Sequence, residues 1–129
     1  MMELSKIKDA VNDIKSGKMV IVVDDENREN EGDFIIASEK IKPEDINFMM
    51  KEGRGLICIS ITNDIAKKLK LSPMVNANTS MHETNFTVSV DAVKNTTTGI
   101  SANDRYETIK AIISDNKKGN KKLKKQTIW

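Results

Sequence analysis

The chain has one cysteine and one histidine in 129 residues. Cys58 has no second thiol for an internal disulfide or a multi-cysteine zinc site. With His82 as the single imidazole, any metal site must rest mainly on oxygen ligands. Aromatics are equally scarce, at 4 %, so Ile, Val, Leu and Met must build the core. Long apolar runs are missing as well. Met19–Val23 is among the longest and falls far short of the roughly 20 residues that a membrane-spanning helix needs. Residues Met1–Ala10 mix both charge signs with no apolar signal core, so secretion is not expected. These absences point to a globular protein of the cytoplasm.

Charged residues, in contrast, reach 31 %. Their signs are segregated along the chain. Lys117–Lys125 holds six lysines and no acid, which leaves the body up to Asn116 with fifteen bases against nineteen acids, a net −4. Hence the chain divides into a body, 1–116, and a basic tail, 117–129. Lysines without aromatic or arginine partners are a poor nucleic-acid signature, so nucleic acid is not an expected partner. The tail reads as a solvated end, with phosphate contact as the alternative.

Helical and extended patterns alternate through the body. Ile7, Ala10, Val11 and Ile14 share one helical face, and Ser16-Gly17 stops that helix. Met19–Val23 reads as a buried strand and Phe34–Ala37 as a second. Pro43-Glu44-Asp45 opens a helix that buries Ile46, Met49 and Met50 and ends at Gly53. Leu56–Ile61 reads as a strand, Asp64–Leu71 as a short helix, and Pro73–Thr84 as a loop. Phe86–Val90 is a half-buried strand. Ser101, three residues before Asp104, resembles a capping box ahead of Tyr106, Ile109, Ile112 and Ile113. This order predicts an α+β (α/β layered) domain, a mixed sheet flanked by helices.

Three segments carry the candidate chemistry. In Asp24–Asp33, six of ten residues are carboxylates, joined by Arg28. A solvated turn is one reading. A site is the other, because crowded carboxylates repel unless a cation offsets them, and Mg²⁺ favours such hard oxygen ligands. Gly53-Arg54-Gly55 is either a helix stop or a close backbone approach. Cys58 follows in an apolar run that suits a buried, inert thiol. Asn95–Arg105 is a hydroxyl-rich turn entering a helix N-terminus, either a plain cap or an anion-friendly surface. His82, in the loop, reads as structural.

DDENRENEGD (Asp24–Asp33) followed by FIIASE, RGLICISIT (Arg54–Thr62), Asn78-Thr79-Ser80 with FTVSVDA (Phe86–Ala92), and TTGISANDR (Thr97–Arg105) occur in order. Together they resemble the 3,4-dihydroxy-2-butanone 4-phosphate synthases of riboflavin biosynthesis, over about Lys6–Ser114. The resemblance implies a homodimeric lyase that takes D-ribulose 5-phosphate to 3,4-dihydroxy-2-butanone 4-phosphate and formate, using Mg²⁺ or Mn²⁺. It further implies that Glu29 ligates the metal and touches substrate. Arg28 and Asp33 contact substrate, Glu31 handles protons, Cys58 lines the site, and Thr98 bonds a sugar hydroxyl. That family's second half carries a Gly-His-Thr-Glu motif whose histidine is the partner metal ligand, and no such motif occurs in this sequence. The chain therefore resembles an N-terminal portion, expected to stop before the fold ends. The alternative expectation is a truncated paralogue that only binds metal or pairs with a full-length homologue.

Overall fold

A computed structural model describes residues 3–77, 79, 84–114 and 123–125. His82 and most of the basic tail lie outside them. The chain forms two compact units, Met1–Ile57 and Cys58–Trp129. Both mix helix with strand, as the sequence predicts.

In the first unit, α1 spans Ile7–Lys15. Gly17 ends it with φ +82°, a left-handed turn that glycine adopts at no steric cost. Its amide donates to the Ile14 carbonyl at 3.0 Å. Among the described residues the apolar face of α1 is only partly covered: Ala10 and Ile14 are half-buried, while Ile7 remains 79 % exposed. Strands β1 (Val20–Val23) and β2 (Gly32–Ile35) pair antiparallel, with Ile21 opposite Phe34 and Val22 opposite Asp33. The register shifts β2 toward Gly32 relative to the sequence expectation. Strand β1 was expected to be buried, yet Ile21 is 65 % exposed. A two-stranded ribbon cannot cover both of its own faces.

Helix α2 (Pro43–Phe48) begins at the proline, and the Asp45 carboxylate accepts the Lys42 amide at 2.9 Å. It continues as a π-helical turn, Met49–Gly53. Ile46 is fully buried there, and Phe34 and Phe48 pack with ring centroids 5.4 Å apart. A Cβ on Gly53 would lie 3.1 Å from the Phe34 ring, so glycine at this position permits the strand and the helical turn to close on each other.

Residues 56–61, which run from the end of the first unit into the start of the second, form no strand, and Leu56 is 77 % exposed. An apolar run becomes a strand only when a neighbouring strand pairs with it. Helix α3 (Asn63–Lys68) follows, capped by the Thr62 hydroxyl, which accepts the Ile65 amide. Pro73 and Thr87 form an isolated antiparallel bridge. Strand β3 (Val90–Ala92) pairs antiparallel with β4 (Leu123–Lys125), Ala92 opposite Leu123. The basic tail is therefore not simply a solvated end: part of it is a strand. Helix α4 (Ala102–Ile113) buries Thr108, Ile109 and Ile112, which with Ala92 form the core of this unit.

Candidate functional site

The acidic loop joins β1 to β2, closed at its base by the Asp24 amide donating to the Glu31 carbonyl at 2.9 Å. Asp24 organises it. One carboxylate oxygen accepts the Asp25 amide at 2.8 Å. The other accepts the Arg28 guanidinium at 2.7 Å and the Glu29 amide at 3.1 Å. Asp25 folds the next step, accepting the Asn27 amide at 2.8 Å in an Asx turn. Asn30 then turns the chain back with φ +52°, a conformation asparagine tolerates better than most residues.

These contacts place Arg28 and Glu29 side by side, with Nη1 3.6 Å from Oε2. The repulsion expected among six carboxylates is thus partly met from within the loop. The Arg28 hydrogen bond, helped by the Glu29 and Asp25 amides, holds the Asp24 carboxyl below its ordinary value against the opposing effect of desolvation. Reciprocally, Asp24 raises the Arg28 guanidinium. Glu31 lies just before β2 and Asp33 two positions on, within it, and both are exposed. Side chains two apart on an extended arm point to the same face. Asp24 escaped the sequence reading of individual roles. Its signal was the four-residue spacing to Arg28.

Cys58 and Thr98 belong to the second unit. Cys58 is exposed, which corrects the expectation of a buried thiol: the run around it is not a strand and supplies no cover. Thr98 is exposed in the turn before α4. Ser101 caps that helix as expected, its hydroxyl accepting the Asp104 amide at 3.0 Å. The capping box is not reciprocal, however. Instead, one Asp104 oxygen accepts the Thr97 hydroxyl at 2.8 Å, the Thr97 amide at 3.1 Å and the Gly99 amide at 2.9 Å. The Thr97 hydroxyl bond and the backbone bonds hold the Asp104 carboxyl below its ordinary value, although desolvation opposes them.

Among the described residues, no three His, Cys, Asp or Glu side chains converge on a metal position. Glu29 offers one hard oxygen donor. That fits Mg²⁺, which takes one or two carboxylates and completes its shell with water and substrate oxygens.

Residues 8–126 match the family model of 3,4-dihydroxy-2-butanone 4-phosphate synthase. The riboflavin biosynthesis protein RibBA of Chlorobium phaeovibrioides is 59 % identical over 110 residues, covering 84 % of this chain and 27 % of that protein. RibBA of Bacillus mycoides is 56 % identical over 114 residues, covering 88 % and 28 %. Among solved structures, a 3,4-dihydroxy-2-butanone 4-phosphate synthase in complex with two magnesium ions superposes with a TM-score of 0.89 at 37 % identity, covering 95 % of this chain and 57 % of that one. RibBX, a two-domain synthase from A. baumannii, gives 0.83 at 41 % identity, covering 94 % and 35 %. The chain thus spans little more than a quarter of the length of these RibBA relatives.

Proposed function

Because the chain belongs to the 3,4-dihydroxy-2-butanone 4-phosphate synthase family, we propose that it carries the acidic-loop part of a lyase site that converts D-ribulose 5-phosphate to 3,4-dihydroxy-2-butanone 4-phosphate and formate. The observation that carries this reading is the loop itself. Arg28 and Glu29 are set side by side by a single carboxylate, Asp24.

The reaction begins with enolisation, which requires a proton to leave the carbon beside a carbonyl. Glu31, exposed and one residue before β2, is the proton-handling carboxylate. Arg28 and Asp33 bind the sugar phosphate, Thr98 donates to or accepts from a sugar hydroxyl, and Cys58 lines the site. Glu29 holds Mg²⁺ as one ligand, and that ion supplies electrophilic stabilisation of the developing enediolate charge. The neighbouring synthase that holds two magnesium ions supports this choice of metal. Its sugar phosphate substrate is too charged to cross a bilayer, so we take the cytoplasm as the place of reaction.

The exposed apolar residues Ile21, Val22, Val23 and Ile35 favour a second arrangement, in which the chain works paired with a second copy or with a homologue. Formate release from D-ribulose 5-phosphate with Mg²⁺, read by a coupled formate dehydrogenase, tests the proposal. Activity in the wild type, lost to background in Glu29→Gln and Glu31→Gln, supports it. No formate from the isolated chain, but formate on adding a homologue that is inactive alone, favours the paired arrangement. Silence in both settings refutes the lyase reading.

A further inference from the structure

The turn that presents Thr98 is built around one buried carboxylate. Asp104 is 3 % exposed, and its single oxygen Oδ2 takes donors from both sides of Thr98: the Thr97 amide and hydroxyl before it, and the Gly99 amide after it. Thr98 is left exposed between the two anchored residues. Gly99 makes the arrangement possible, because its φ of +85° turns its amide inward. A Cβ there would stand 2.5 Å from the Asp91 carboxylate oxygens.

The carboxylate is itself fixed. Its backbone amide is capped by Ser101. Its carbonyl accepts the Thr108 hydroxyl at 2.9 Å, and the Thr108 oxygen in turn accepts the Ala92 amide at 3.0 Å. At the start of the turn, the Thr96 hydroxyl donates to the Ala92 carbonyl at 2.6 Å. At its end, Arg105 Nε donates to the Ile100 carbonyl at 2.9 Å. Strand β3 and helix α4 therefore hold the turn at both ends, and Asp104 fixes its middle. An ordinary N-cap does not need this. Ser101 already supplies the ordinary cap by accepting the Asp104 amide, whereas three donors on a charged oxygen rigidify the loop in front of the helix.

We infer that Asp104 is a positioning residue: by gripping Thr97 and Gly99 it holds the Thr98 hydroxyl in the orientation that receives a hydroxyl of the sugar phosphate. This rests on the reading of Thr98 given above. A hydroxyl presented by a rigid turn binds without the ordering cost that a mobile one incurs.

A double-mutant cycle on the full chain tests it, with D-ribulose 5-phosphate titrated calorimetrically into wild type, Thr98→Val, Asp104→Asn and the double variant. Thr98→Val is expected to weaken binding about tenfold, the scale of one hydrogen bond to a polar ligand. Asp104→Asn should weaken it by a similar factor, and the double variant no further than Thr98→Val alone. Thr62→Ala is the stability control: it removes the cap of α3, away from the turn, and lowers the melting temperature while leaving affinity unchanged. A ligand-free readout accompanies the cycle. The heteronuclear NOE of the Thr98 amide should fall in Asp104→Asn and stay at its wild-type value in Thr62→Ala.

The outcomes separate cleanly. Unchanged affinity in Thr98→Val, or no binding by wild type, overturns the role of Thr98 and the inference with it. Weakened Thr98→Val beside an unaffected Asp104→Asn overturns the positioning role alone. Additive losses in the double variant, or an unchanged NOE, do the same.

Discussion

Arg28 Nη1 lies 2.7 Å from Asp24 Oδ2, and that same oxygen accepts the Glu29 amide at 3.1 Å. One carboxylate thus sets both the guanidinium assigned to substrate and the backbone of the residue assigned to metal. The spacing from Asp24 to Arg28 would be ordinary on a helix surface, where such exposed pairs contribute little. Here it closes a loop, so its consequence is geometric.

Asp24→Asn should therefore act on the loop rather than on the fold. The amide keeps the volume of the carboxylate but loses its charge, and charge-assisted bonds are about twice as strong as neutral ones. The expected result is a fall of about tenfold or more in formate release, with only a small fall in melting temperature. Shifts of the Arg28 Nε and Glu29 amide resonances report the same loss without substrate. Unchanged resonances would show that the loop is held by something other than Asp24.

Among the described residues, two carboxyls contribute to the acid limb of stability. Asp24 is held down by the Arg28 bond first and Asp104 by the Thr97 hydroxyl first, each below an ordinary value of 3.8. A carboxyl depressed by folding contributes stability that is fully present above its unfolded value. That contribution is lost as the pH falls through the lower, folded value. Stability should accordingly decline on acidification from about pH 5 toward pH 2. Asp24→Asn and Asp104→Asn should each flatten part of that decline. Urea denaturation across this range checks it, and parallel wild-type and variant curves would contradict the assignment.

Gly99 and Gly55 should differ in their tolerance of alanine. At Gly99 the left-handed φ of +85° and a Cβ position 2.5 Å from the Asp91 oxygens combine. Strain of this kind costs about 1–3 kcal/mol before the clash is added. At Gly55 the nearest atom to a new Cβ is the Gly53 carbonyl oxygen at 3.9 Å. Gly55→Ala should therefore fall within about 0.5 kcal/mol of wild type, as exposed substitutions do. Calorimetric melting of both variants distinguishes them, and equal stability would mean that the turn before α4 opens at little cost.

How far the sequence foretold these features depends on what each needs. Helix starts at Pro43 and Ser101 need only local chemistry, and both were readable. So was the acidic loop, because no core could accommodate Asp24–Asp33. Pairing is different. Leu56–Ile61 has the composition of a strand but forms none, whereas Leu123–Lys125, inside a lysine run, pairs with β3. Lysines are what edge strands carry to deter further pairing, so the charge that read as solvation also suits a sheet edge. The capping box at Ser101 was half right. Asp104 turns away from its own helix because the preceding turn offers it three donors.

The apolar surface of β1 and β2 bears on assembly. Ile21, Val22, Val23 and Ile35 are all exposed within this chain. Alternation sends Ile21 and Val23 to one face and Val22 to the other, where its partner Asp33 also lies. A two-stranded ribbon with apolar residues exposed on both faces is marginal in water, and contiguous apolar patches normally mark a surface that is covered. The chain should therefore self-associate at micromolar concentration, and sedimentation equilibrium should give a mass above 14.5 kDa. Ile21→Lys places a charge on the face away from Asp33, so it should lower that mass while leaving the acidic loop intact, as judged by the Glu29 amide resonance. A single species of 14.5 kDa in wild type would refute this. It would mean that the ribbon is stable with its valines and isoleucines in water, and that the site does not depend on a second chain for its shape.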